Sequence, residues 1–425
     1  MDQKKKIFIS DIHMGTAESI QSDRPYGWLL KDRAELLTEF LDRLSRDREL
    51  SELIIVGDLF DEWVVPYTTS PVPTDRREYV DQFFKIAAAP QNKPIIKALC
   101  NLADTDGIQV TYVPGNHDML MKSAVLAELI PNIRPLINGS GKGIYTAGKI
   151  AAEHGSYYCL FNAPDTYDNP GHNLPLGFFV ARSQAEGVTT GHPVTKASYV
   201  RIILDALNRL IRKESFADAI FESIVDQIRS ATNDIVMQGM DAYPKSVRTT
   251  EISYIFKELA RNWEKNMPGN VSTPVAVLGE MACLFPAVFK QYAWPYFEKK
   301  KNENIVVLGH THAWEIKGVS LKRLLTEIGE DFFHIFEAIK DNAPQEILKI
   351  FKDVPDPGAD APSDFIYANS GTWIDGDAGS VSGEKPPATY VEIKEAEQKT
   401  VVGIYSYTGG DLARNRLLDS RFTVG

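Results

Sequence analysis

Only three cysteines, Cys100, Cys159 and Cys283, occur in the 425 residues, far apart and without CxxC spacing. Their scarcity excludes a disulfide framework or a zinc ribbon, and a reducing, cytoplasmic setting is expected. An excess of basic residues is also missing. Lysine and arginine number 46 against 57 aspartates and glutamates, a formal charge of −11. Such a balance offers nucleic-acid backbones and anionic membranes no general attraction, so nucleic acid is a disfavoured partner. Long apolar runs are lacking too. The nearest approach, residues 275–297, is interrupted by Glu280, Pro286, Lys290 and Gln291, so no transmembrane segment is expected. The apolar residues after Lys4, Lys5 and Lys6 are too few for a signal-peptide core. Internal repeats and low-complexity tracts are absent.

What remains is an ordinary globular composition, 44% apolar and 24% charged, long enough for one large domain or two. Five short apolar runs each end at a polar cluster. Residues 7–9 lead into Asp11 and His13, 53–56 into Gly57-Asp58, and 110–113 into Gly115-Asn116-His117-Asp118. Residues 150–152 lead into Glu153-His154, and 305–308 into Gly309-His310-Thr311-His312. Runs of this length and apolarity predict strands buried on both faces. Between them, Leu36, Leu37, Phe40, Leu41 and Leu44 fall at helical spacing, and residues 80–88 and 95–102 repeat the pattern. Alternating strands and helices predict βαβ units, whose ligand sites lie beyond the carboxyl ends of the strands. All five clusters sit at that place.

The rhythm then changes. Residues 161–301 open on loops rich in glycine, asparagine and proline and continue with helical patterns at 196–212, 216–229 and 252–265. They carry no metal-type motif and are read as a mainly helical insertion or cap. Further helical patterns follow at 321–328, 332–339 and 345–351, then a link rich in proline and aspartate, 354–364. Strand-like runs return at 365–368, 389–393 and 401–407.

The clusters mix carboxylate, amide oxygen and imidazole. That donor set suits borderline first-row cations such as Mn, Fe, Co or Zn, and suits neither calcium nor an iron–sulfur cluster. Five of the eight histidines (His13, His117, His154, His310 and His312) lie at predicted strand ends. Gly57 allows the backbone before Asp58 to turn sharply.

In order, Asp11-Ile12-His13, Gly57-Asp58-Leu59-Phe60-Asp61, Gly115-Asn116-His117-Asp118, His154 and Gly309-His310-Thr311-His312 resemble the motifs of the calcineurin-like metallophosphoesterases. The resemblance frames residues 7 to 312 without reaching into the insertion. It implies an α/β fold, a four-layer α/β/β/α sandwich of mixed sheets, formed by 1–160 and 302–425. It also implies two divalent metal ions, with Mn favoured. One would be held by Asp11, His13, Asp58 and His312, the other by Asp58, Asn116, His154 and His310, with Asp58 bridging. In-line attack by a metal-bridging hydroxide is the implied reaction. His117 would assist the leaving group, Asp118 would orient its ring, and Asp61 would stand behind the ligands.

Residues 57–63 and 367–373 also resemble the UDP-2,3-diacylglucosamine hydrolases, which split a pyrophosphate in a nucleotide-lipid. This chain is longer than those and carries His117 where they typically have arginine. The expected substrate is therefore a phosphate-ester small molecule or a nucleotide-lipid, cleaved at a phosphodiester or pyrophosphate bond. A phosphomonoesterase or protein phosphatase, and a non-catalytic scaffold of the same fold, are the alternatives. Residues 369–372 also read as a polar turn after an edge strand. Phe285, Phe289, Tyr292, Trp294, Tyr296 and Phe297 precede Lys299, Lys300 and Lys301. A buried helix ending in solvated lysines is favoured there over peripheral membrane contact. Arg182, Lys196 and Arg201 are weak candidates for meeting substrate phosphate, and His172, His192 and His334 receive no role.

Overall fold

The computed structural model describes residues 4–21, 26–65, 76–138, 142–159, 303–319, 365–375, 385–396, 399–412, 415–418 and 422–424. Between 160 and 302 it describes 162–163, 174–178, 181–182, 185, 236–237 and 247–248. The helical patterns expected at 196–212, 216–229, 252–265, 321–328, 332–339 and 345–351 lie outside these residues. So do the link at 354–364, the aromatic and lysine-rich segment, Lys196, Arg201, His172, His192 and His334.

The elements in chain order are β1 (Lys5–Ile9), α1 (Glu18–Gln21), α2 (Lys31–Leu44), β2 (Leu50–Val56), α3 (Arg76–Ala88), α4 (Lys93–Ala103) and β3 (Gln109–Val113). Next come α5 (Ser123–Leu129), β4 (Arg134–Pro135), β5 (Tyr145–Ala147), β6 (Ile150–Ala152), β7 (Val236–Met237) and β8 (Val247–Arg248). The last are β9 (Ile305–Leu308), β10 (Trp314–Val319), β11 (Phe365–Ser370), β12 (Thr389–Ala396), β13 (Lys399–Ser406), β14 (Arg416–Leu417) and β15 (Phe422–Val424). Each of the five apolar runs is a strand, and the three helical patterns before β3 are helices.

Two mixed sheets result. The first has the order β14-β13-β12-β1-β2-β3-β4, with β15 on β13. β1 pairs parallel with β2 and β2 with β3, while β12 joins β1 antiparallel. The parallel pairs need crossovers, which α2 and the α3–α4 pair supply. The second sheet runs β10-β11-β9-β6-β5, with β9 parallel to both β6 and β11. Its pairing joins residues 150–152 to 305–307 across the intervening segment.

Side chains alternate along each strand and so build two cores. Ile7, Ile9, Leu53, Ile55 and Tyr112 face Leu37, Phe40 and Leu41 of α2, Phe83 and Ile86 of α3, and Ile95 and Leu99 of α4. Their neighbours Phe8, Ile54 and Val56 face the other way, onto Ile150, Ala152, Ile305, Val307, Ile366 and Ala368 of the second sheet. Among the described residues the layer order is therefore helix, sheet, sheet. A strand buried on both faces cannot alternate apolar with polar, which is why β1, β2 and β9 read as unbroken apolar runs.

Helix α2 starts at Lys31 with Asp32 in its first turn and ends with Arg43 in its last, both favourable to the helix dipole. Pro94 occupies the first turn of α4, where its missing N–H costs nothing. Among the described residues, no helix is long and apolar enough to cross a membrane.

Candidate metal centre

The carboxyl ends of β1, β2, β3, β6 and β9 converge, and the polar residue types follow from what the chain must do there. Backbone bonds stitch the first two loops together: Ile12 N–H and His13 N–H donate to the Asp58 carbonyl, each at 2.9 Å, and Asp61 N–H to the Met14 carbonyl at 2.9 Å. To fit, Asp11, His13, Asp58, His310 and His312 all adopt positive φ, between 53° and 74°. Non-glycine residues pay about 1 kcal/mol or more each in this region, and such strain gathers at functional sites. Gly57 has φ 86°, and a Cβ there would lie 2.5 Å from His154 Cγ. Gly57→Ala is therefore expected to cost about 1–3 kcal/mol of stability and to displace the His154 ring. Denaturant unfolding checks the first, and an unchanged midpoint would contradict the close approach.

Asp11, His13 and His312 bring one donor atom each within a common 4.8 Å, and Asp58, His154 and His310 do the same. Asp58 lies between the groups. Its Oδ1 accepts the His117 backbone N–H at 2.9 Å, which leaves Oδ2 3.0 Å from His154 Nε2 and 3.6 Å from His13 Nε2. Asn116 Oδ1 stands 3.1 Å from His154 Nε2. Asp11 receives the His310 backbone N–H on its carboxylate at 3.0–3.1 Å, with Oδ1 3.4 Å from His312 Nε2. All seven residues named as ligand candidates thus meet in one place.

The far nitrogens of two rings are already engaged. His154 Nδ1 lies 2.8 Å from the Val56 carbonyl and His13 Nδ1 3.2 Å from Asp61 Oδ2. Both then carry the proton on Nδ1 and turn an Nε2 lone pair inward. His13 Nε2 and His312 Nε2 are 3.0 Å apart. Two lone pairs that close repel unless a proton or a cation lies between them, so the donor set fits divalent cations. Electrostatics agree. Burial opposes charging His154, yet the Asp58 and Asp11 carboxylates outweigh it and push its pKa up to about 10. Proton and divalent cation compete for that nitrogen. Burial lowers both His13 and His310.

His117 stands beside the clusters. Its Nδ1 is 2.6 Å from Asp61 Oδ1, its ring stacks on Trp63 at 4.4 Å and 28°, and Trp28 flanks it at 5.3 Å. Burial opposes a proton on His117, but Asp61 and Asp58 raise its pKa. Here the structure corrects an expectation: Asp61, not Asp118, orients the ring. Asp118 turns back into the fold and accepts backbone N–H groups from Gly115 at 2.7 Å, Leu59 at 2.8 Å and Phe60 at 3.2 Å. With the Asp58 N–H at 3.3 Å as well, this buried carboxylate bonds four amides, closes the turn and has no reach left for the ring. One carboxylate, Asp61, serves both His13 and His117.

The segment 369–372 is more than a polar turn, and β11 is an inner strand of its sheet. Asn369 Nδ2 donates to the Gly309 carbonyl at 2.7 Å, Thr372 Oγ1 to the Asp11 carbonyl at 2.8 Å, and Ser370 Oγ meets Ser10 Oγ at 2.7 Å. These bonds hold the strained loops after β9 and β1 from behind. Arg182 is buried against Glu62 and does not face the cluster as a free cation for phosphate. Sequence reasoning overlooked Trp28, whose ring lies 4.4 Å from His13 and 5.3 Å from His312. It also overlooked Cys159, whose Sγ is 3.2 Å from His310 Nε2. Neither belongs to a motif, so no signal marked them.

No curated protein is similar in sequence to this chain. Among solved structures, a dimetal phosphatase from Danio rerio overlaps 99% of this chain and 98% of its own at 10% identity, with a TM-score of 0.36. Vps29 from Chaetomium thermophilum overlaps 100% and 98% at 9% identity, with a TM-score of 0.29. Overlaps this loose have no bearing on chemistry, which rests on the side chains above. Residues 5–181 match the family described as calcineurin-like phosphoesterase. That stretch includes Asp11, His13, Asp58, Asp61, Asn116, His117 and His154, and over it the chain is similar to the calcineurin-like phosphoesterases.

Proposed function

We propose that this protein is a dinuclear-metal-dependent hydrolase of phosphodiester or pyrophosphate bonds, with Mn, Fe, Zn or Co as the cations and Mn favoured. The observation that carries the reading is Asp58 Oδ2 set between two donor clusters, 3.6 Å from His13 Nε2 and 3.0 Å from His154 Nε2. Asp11, His13, Asp58 and His312 would hold one cation, and Asp58, Asn116, His154 and His310 the other. When bound, such cations supply Lewis acidity toward phosphoryl oxygens and activate water.

The chain's own residues do the rest. Asp61 fixes His117 with Nδ1 protonated, so Nε2 is the nitrogen that can give a proton to the departing oxygen. Asp61 is suited to this because His117 and His13 hold it ionised against the cost of burial. Trp63 and Trp28 limit the ring's rotation and keep bulk water from it. The catalytic part would comprise 1–160 and 302–425, joined by the β6–β9 pairing, with 161–301 selecting the substrate. The scarcity of cysteine supports a cytoplasmic setting.

Elemental analysis of the purified protein is expected to find two divalent ions per chain, and a bis-aryl phosphate should be hydrolysed faster than the mono-aryl ester. A strong chelator should abolish turnover and lower the thermal midpoint by several degrees, since ligands at 100 times their Kd stabilise by about 2.7 kcal/mol each. Faster cleavage of the monoester would point to a phosphomonoesterase. Bound metal without turnover on any ester would point to a scaffold.

A further inference from the structure

We propose that Arg182 is a positioning residue for His117, acting at a distance through Glu62 and Trp63; the inference rests on the reading of His117 as the leaving-group acid. Arg182 is fully buried, a rare place for a guanidinium. Its Nη2 donates to Glu62 Oε1 at 2.7 Å and to the Glu62 carbonyl at 3.1 Å, and its Nη1 to the Val65 carbonyl. All three acceptors belong to the short segment after β2 that carries Trp63. The guanidinium lies 5.0 Å from the centre of the Phe178 ring, and Phe178 meets the edge of Trp63 at 6.0 Å and 88°.

Trp63 is thus held from both sides. Arg182 grips the backbone before and after it, and Phe178 packs perpendicular to the indole. The indole itself stacks on His117. The same segment reaches His117 through its main chain, where Glu62 N–H donates to the His117 carbonyl at 3.2 Å. Asp61 orients the imidazole in its own plane, but a hydrogen bond to one nitrogen leaves the ring free to tilt about it. The stack on Trp63 removes that tilt, and it can do so only while Trp63 is fixed. A planar fork is needed at position 182 because its acceptors diverge; a lysine ammonium at that depth cannot span Glu62 Oε1 and the Val65 carbonyl together. Phe178 and Arg182 come from the chain beyond the fourth motif, so the segment read as selecting substrate is wired to the group that serves the leaving oxygen.

The test compares Arg182→Lys and Glu62→Gln with the parent on two diesters of one acid. One diester carries a p-nitrophenyl leaving group, which departs readily as the anion, and the other an alkyl group, which needs a proton. Both variants are expected to lose about 10–100-fold in kcat on the alkyl diester, the usual cost of removing an outer orienting partner. On the p-nitrophenyl diester they should stay within about threefold, with KM and bound metal unchanged. Equal losses on both diesters, or no loss on either, would overturn the role. If one variant fails to fold, the other decides. His117→Ala run alongside separates the two ideas: without leaving-group dependence there, the reading of His117 itself fails. With dependence there but none in the Arg182 and Glu62 variants, only the present inference fails.

Discussion

His117→Ala is expected to lower kcat by about 10²–10⁴-fold on esters of poor leaving groups, the usual worth of a positioned general acid. Metal content should be unchanged, because the ring bonds Asp61 through Nδ1, while the seven candidate ligands are the two other donor groups and Asn116. Removing it leaves Asp61 with His13 as a partner, at 3.2 Å, so the buried carboxylate is not stranded. His117→Gln, which keeps a polar group of similar reach, should recover the fold but little of the rate. Loss of bound metal in either variant would move His117 among the ligands, and full activity would remove it from the mechanism.

Asp58→Asn should do more. The amide keeps an oxygen for the His117 backbone N–H, so the loop can fold as before. What disappears is the anionic Oδ2 between His13 and His154. Without that charge the site loses the carboxylate shared by both clusters, while its imidazoles still face one another at 3.0 Å. Fewer than two ions per chain and a fall in kcat/KM of about 10³-fold or more are expected, the scale of losing a principal electrostatic stabiliser. Two ions retained, with kcat/KM within tenfold of the parent, would place the shared carboxylate elsewhere.

Much of the site was legible because each donor lies within four residues of the end of a strand. A buried parallel strand is an unbroken apolar run, and the loop that follows it emerges at the carboxyl edge of the sheet. Asp11, Asp58, Asn116, His154 and His310 could be placed on that basis before any coordinates. The donor types then narrowed the chemistry, since carboxylate, amide and imidazole together suit few cations. Asp61 and Asp118 mark where this reasoning stops. Both are acidic, both are near His117 in sequence or motif, and adjacency favoured Asp118. The backbone turn at Gly115 sends the Asp118 carboxylate inward to four amides and leaves Asp61, 56 residues away in sequence, beside the ring.

Residues 369–372 teach the same lesson. As a string they read as a turn; in the fold they brace Gly309 and Asp11, because β11 lies against β9. Trp28 and Arg182 carry no signature at all, since a stacking partner or a buried ion pair is defined by what arrives from elsewhere in the chain.

By itself, the amino-acid order determined the strands, the side of the sheet on which polar groups gather, and the donor set. Those depend on local periodicity and on side-chain chemistry. The tertiary structure alone decided which carboxylate faces which imidazole, which loops are braced, and how Trp63 is held against His117. Those depend on contacts between residues distant in sequence, whose directions are set by left-handed turns and by the packing of one sheet on another.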